Sequence, residues 1–143
     1  MRTLLLACGN TLRGDDAAAH AVLDLIAPTS LHATRAVHQL TPELAPEVAR
    51  FSRVVFIDAD AESKAVRIEP LNAAPQNLIS QGSPLTHAST PEEVVALASA
   101  LFGFSGQAFV CRIPAQHFDA GEAPAPEVLQ FAREAASQIA RLI

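Results

Sequence analysis

Short, continuous apolar runs alternate along this chain with segments of helical period. Residues 3–8 (Thr-Leu-Leu-Leu-Ala-Cys) form one such run, which stops at Gly9-Asn10 and predicts a buried strand. Residues 16–27 predict a helix, with Ala18, Val22, Leu25 and Ile26 on one face and Pro28 just past its end. A weaker strand is predicted over 33–40. Thr41-Pro42 supplies an N-cap followed by a proline at the first helical position, and predicts a helix reaching Phe51. Residues 53–58 (Arg-Val-Val-Phe-Ile-Asp) are the clearest buried strand, apolar until the run meets the acid Asp58. Residues 65–71 predict an edge strand, because Pro70 near its end cannot donate to a neighbour.

The second half continues the alternation. Residues 72–89 form a long polar loop carrying His87, and Thr90-Pro91-Glu92-Glu93 is a capping box that opens a helix to Phe102. Residues 107–113 predict a last strand. Residues 126–142 predict a closing helix with Val128, Ala132, Ala135, Ile139 and Leu142 in line. Strands apolar on both faces, alternating with helices, are the signature of a mainly parallel sheet covered on both sides. The predicted class is therefore α/β: a three-layer α/β/α sandwich with a mainly parallel sheet of about five strands, in one domain over residues 1–143.

Composition narrows the function classes. The chain has 143 residues, half of them hydrophobic, and its charged share of 17% lies below the average of ~25%. A net charge of −5, with Lys64 the single lysine, argues against a nucleic-acid partner. No apolar run approaches the ~20 residues of a membrane span. Cys8 and Cys111 are too few for a disulfide framework and are expected to be buried structural thiols. Leu5-Leu6-Ala7-Cys8 looks like the end of a lipoprotein signal, but such a signal needs an apolar core of ~7–15 residues after a charged start. The short lead before Cys8 reads better as a strand in a cytoplasmic protein.

Open parallel sheets place their chemistry at the carboxyl ends of the strands. The polar residues expected there are Asn10, Asp15 and Asp16 after the first strand, Asp58 and Asp60 after the central one, His87 before the capping-box helix, and Gln116-His117 after the last strand. The first loop lacks Gly-x-Gly-x-x-Gly spacing and the Gly-Lys-Ser/Thr ending of a phosphate loop, and its two acids would repel a phosphate. Read locally, Asp15 is an N-cap and Asp16 a first-turn acid suited to the helix dipole. Asp58 demands a partner, since a carboxylate ending a buried strand is costly unless paired, and Arg53 or Arg112 could supply the pair. Alternatively, Asp16, Asp58 and His87 converge on one sheet edge as ligands for a divalent transition metal. His20, four residues beyond Asp16 on one helix face, could add a ligand, although a partly buried helix residue is the simpler expectation. The chain has no Gly-x-Ser-x-Gly elbow, His-Glu-x-x-His or Cys-x-x-Cys.

The opening Met1-Arg2-Thr3-Leu4-Leu5-Leu6-Ala7-Cys8-Gly9-Asn10, followed by Gly14-Asp15-Asp16, resembles the hydrogenase maturation proteases. The strand ending Ile57-Asp58-Ala59 and a histidine in the loop before a helix match in the same order, so that the resemblance runs through nearly the whole chain. It implies an endopeptidase that trims the C-terminal tail of a nickel-iron hydrogenase large-subunit precursor. The metal contacts implied are Asp16, Asp58 and His87, with the two aspartates as possible acid/base groups. The nickel would arrive in the substrate and would not be tightly held by the free protein. Three segments depart from the family pattern, the first being Ala7-Cys8-Gly9-Asn10 where many members have Gly-x-Gly-Asn. His38-Gln39-Leu40-Thr41-Pro42-Glu43-Leu44 stands where many members carry a glycine-rich segment that helps recognise the client, and Cys111-Arg112-Ile113-Pro114 where Gly-Ile-Gln-Pro-like residues are common. The last two departures leave an alternative, a non-proteolytic metal-binding or docking protein on the same scaffold. A small hydrolase with its own bound metal is a weaker one.

Overall fold

The structure is a computed structural model and describes residues 2–10, 14–72, 89–116, 121 and 123–143. Five strands form one sheet: β1 (Thr3–Cys8), β2 (His32–Val37), β3 (Arg53–Asp60), β4 (Arg67–Pro70) and β5 (Gln107–Pro114). Their order is β2-β1-β3-β5-β4, with β4 antiparallel at the edge and every other pairing parallel. The helices are α1 (Ala18–Leu25), α2 (Ala45–Val48), α3 (Pro91–Phe102) and α4 (Pro126–Leu142). The α/β sandwich read from the sequence is the observed class.

The alternation of side chains along the strands divides the interior into two cores. Leu5, Ala7, Val55, Ile57, Cys111 and Ile113 face α1 and α4. Leu4, Leu6, Val54, Phe56, Ala108 and Val110 face α2 and α3. On the first side, Ala18, Ala19, Ala132 and Ala135 are completely buried, as small side chains between packed helices.

Several boundaries moved. The helix predicted over 16–27 begins as a 3-10 turn, Gly14–Ala17, and becomes α-helical only from Ala18. The helix predicted from Thr41 to Phe51 splits into a 3-10 turn, Pro42–Leu44, and the single turn α2. A second proline, Pro46, has no N–H to bond the Pro42 carbonyl, so one α-helix cannot run on from Pro42, and it falls instead in the first turn of α2. β3 runs two residues past Asp58, to Asp60, and β2 stops at Val37. The capping box forms as predicted: Glu93 N donates to Thr90 Oγ1 at 3.1 Å and Thr90 N to Glu93 Oε1 at 3.2 Å. α4 has the predicted bounds. Most of the loop predicted over 72–89, including His87, lies outside the described residues.

Candidate active site

The chain moves from β1 outward to β2 and then returns to lay β3 on the other side of β1. This reversal opens a crevice at the carboxyl ends of β1 and β3, the usual ligand position in such sheets. The loop after β1 delivers Asp16 to that edge, and β3 delivers Asp58. Register sets Asp58 between Cys8 on β1 and Arg112 on β5, all three on the sheet face covered by α2 and α3.

The turn after β1 is closely built. Gly9 has φ 151°, and a Cβ added there would overlap the backbone carbonyl oxygen of Asp16. Only glycine fits that approach. Asn10 N donates to Asp16 Oδ2 at 2.6 Å, and His20 Nε2 bonds the Gly9 carbonyl oxygen at 2.8 Å. Asp16 and His20 are both half-buried.

Asp58 lies close enough to Asp16 to feel its charge. Burial first, and Asp16 second, push the Asp58 carboxyl from 3.8 up to about 6; Asp60 adds a smaller rise, while the Ala59 N–H and Arg112 pull the other way. The ion pair expected to compensate Asp58 does not form with either arginine. Arg53 bonds the Leu142 carbonyl at 3.0 Å and Gln107 Oε1 at 3.3 Å, at the opposite end of the sheet. Arg112 sits opposite Asp58 in register, yet its guanidinium turns to Asp60 at 3.9 Å and Glu69 at 3.5 Å. Asp60 lies one pleat further along the same face and is also held by Ser63 Oγ at 2.6 Å, so it offers the arginine a fixed acceptor nearer the open edge. Ser63 foremost, with the Glu62 amide and Arg112, holds the Asp60 carboxyl below its ordinary range. Beside Asp58, this cluster lines a polar cleft of about 580 Å3 whose rim includes Lys64, Arg67 and Glu69.

Cys8 departs from the expectation of a fully buried structural thiol. It is half-buried at the crevice, while Cys111 is buried, and both are free. Burial, then Asp58 and Asp16, raise the Cys8 thiol to about 11, so at neutral pH it is protonated and no thiolate nucleophile. Its Sγ points to the His38 carbonyl at 3.8 Å. Parallel register alone could have placed it beside Asp58.

Asp15, expected as the N-cap of the first helix, lies inside the 3-10 turn Gly14–Ala17. It is completely buried and accepts from Gln116 N at 3.0 Å and Ala125 N at 2.8 Å. It thereby ties the segment after β5 and the start of α4 to the turn that carries Asp16. His20 is, as the simpler expectation had it, a partly buried helix residue in α1, and its Nε2 is committed to the Gly9 carbonyl. His87 and His117 lie outside the described residues. Ser89, two residues beyond His87 in sequence, donates its amide to the Leu40 carbonyl at 2.8 Å, and Leu40 follows β2 on the crevice side of the sheet. Among the described residues no group of three His, Cys, Asp or Glu side chains gathers to hold a metal ion. A third contact beside Asp16 and Asp58 would have to come from outside them.

The fold is shared with solved structures of hydrogenase maturation proteases. The structure is similar to a [NiFe] hydrogenase maturation protease HybD from Thermococcus kodakarensis, at 24% identity and a TM-score of 0.72, covering 99% of each chain. HycI from Thermococcus kodakarensis KOD1 matches with a TM-score of 0.72 at 18% identity, covering 99% of this chain and 91% of that one. The hydrogenase maturating endopeptidase HybD from E. coli matches with a TM-score of 0.71 at 18% identity, over 99% and 91% of the two chains. No protein-family model matches the chain, and no curated protein matches it either. No described helix is long and apolar enough to cross a membrane.

Proposed function

We propose that this chain is a hydrogenase maturation endopeptidase of the cytoplasm, removing the C-terminal tail of a nickel-iron hydrogenase large-subunit precursor once nickel is in place. The observation that carries this is the Asp16–Asp58 pair. This chain shares its fold with named maturation proteases, and at its β1/β3 crevice burial and the charge of Asp16 push the Asp58 carboxyl up to about 6. Such a pair is poorly compensated by its own protein, and a divalent cation presented by a partner turns its mutual repulsion into attraction. Nickel accepts carboxylate and imidazole ligands, which fits Asp16 and Asp58 with His87 as the third contact. The metal belongs to the substrate.

A carboxyl that titrates near neutrality is also suited to proton transfer. Asp58 can take a proton from the water that attacks the scissile carbonyl and return it to the leaving amine. The polar cleft beside Asp58 offers both charge signs along its rim and supplies room for the extended tail.

The test is processing of a nickel-loaded precursor, followed by intact mass, with wild type and with Asp16→Asn, Asp58→Asn and His87→Ala. Loss of cleavage in both Asn variants, with the fold retained, supports the assignment. Normal cleavage by either one contradicts it. Binding of the precursor by wild type without mass loss would instead make the chain a docking protein on this scaffold.

A further inference from the structure

We propose that His20 is a positioning residue for Asp16, acting through the peptide bond between Gly9 and Asn10. The Gly9 carbonyl oxygen can only accept a hydrogen bond, so His20 Nε2, 2.8 Å away, carries the proton and donates it. The N–H on the other side of the same peptide unit is Asn10 N, which donates to Asp16 Oδ2 at 2.6 Å. Carbonyl and N–H share one plane. A bond to the oxygen therefore fixes where the N–H points and strengthens it as a donor.

The relay begins and ends on consecutive turns of one segment, with Asp16 in the 3-10 turn and His20 in α1. Its middle is wedged as well. Gly9 packs so closely on the Asp16 carbonyl oxygen that a side chain at that position would overlap it. Asp16 needs such support because Asp58, a like charge, stands beside it and would favour rotamers that turn away. With Nε2 used in this way, His20 supports the site from behind and makes no contact through that atom with a ligand in the crevice.

The effect on cleavage rests on the function proposed above, so the test has one arm that does not. The two variants are His20→Gln, whose side-chain amide nitrogen can reach the place of Nε2, and His20→Asn, which keeps polarity but falls short. The first readout is the Asn10 amide by NMR on the full chain, as its proton shift and its hydrogen-exchange rate. His20→Asn is expected to move that proton upfield and speed its exchange, with the sheet amides of Leu5 and Phe56 unchanged, and His20→Gln to stay near wild type. The second readout is precursor processing, where His20→Asn should lose about tenfold to a hundredfold in kcat with KM held, and His20→Gln should recover most of it. An unchanged Asn10 amide in His20→Asn overturns the proposal, and so does equal disturbance by both variants. If wild type cleaves no precursor, the proposed function fails, while the amide arm still decides whether His20 positions Asp16.

Discussion

Replacing Asp58 by Asn should make the protein more stable at neutral pH while abolishing cleavage. The folded chain holds the Asp58 proton more tightly than the unfolded chain, with a carboxyl at about 6 against an ordinary 3.8. About two pKa units correspond to roughly 3 kcal/mol, and partial exposure to solvent brings the estimate nearer 2 kcal/mol. The sign follows from linkage: the favourable contribution is complete below about pH 4 and is lost as pH rises to about 6. Above that window wild type carries the full penalty of an ionised, half-buried acid, which a neutral Asn avoids. For a domain of this size, about 2 kcal/mol is a rise of roughly 4–8 °C in Tm. The assay is a pair of thermal or urea melts of wild type and Asp58→Asn at about pH 7.5 and about pH 4. The difference should be large at the higher pH and close to zero at the lower one. A variant no more stable than wild type at pH 7.5, or a gain independent of pH, would refute this account of the crevice.

Other substitutions probe the surrounding structure. Asp16→Asn should bring the Asp58 titration, followed by the carboxyl carbon shift in NMR, down from about 6, since it removes the second largest cause of the rise. Gly9→Ala forces a side chain into φ 151° against the Asp16 carbonyl and should cost of order 1–3 kcal/mol or more in urea denaturation. Asp15→Asn sets an amide NH2 against one of two buried backbone donors and should cost about 2–4 kcal/mol, seen as a lower denaturation midpoint with an unchanged slope. Thr90→Ala removes one half of a formed capping box and should cost about 1 kcal/mol in the same assay.

Features governed by local chemistry were legible in the sequence. α4 was readable because one apolar stripe and Pro126 at its start agree, and α3 because Thr90 and Glu93 stand three residues apart. Asp16 and Asp58 were placed on one sheet edge by the rule that strands in parallel sheets end in the loops that hold function. What local pattern could not show was set by tertiary partners. Asp15 looks like a cap, yet the amides it accepts from belong to residues about a hundred positions away. Arg112 looks like the counter-ion of Asp58, but Asp60, Ser63 and the antiparallel edge strand carrying Glu69 draw it aside. His20 was legible as a partly buried helix residue, while its spacing from Asp16 left a ligand role open. The hydrogen bond that occupies Nε2 depends on how the turn at Gly9 folds back.

The central claim is that the chain reads nickel in a substrate and then cuts. It is tested most directly by incubating wild-type protein with the same large-subunit precursor, loaded with nickel or free of it, and weighing the precursor by intact mass spectrometry. Loss of the C-terminal tail in the loaded sample alone is the predicted result. Equal trimming of both, or a stable complex with the loaded precursor and no change in its mass, would contradict it.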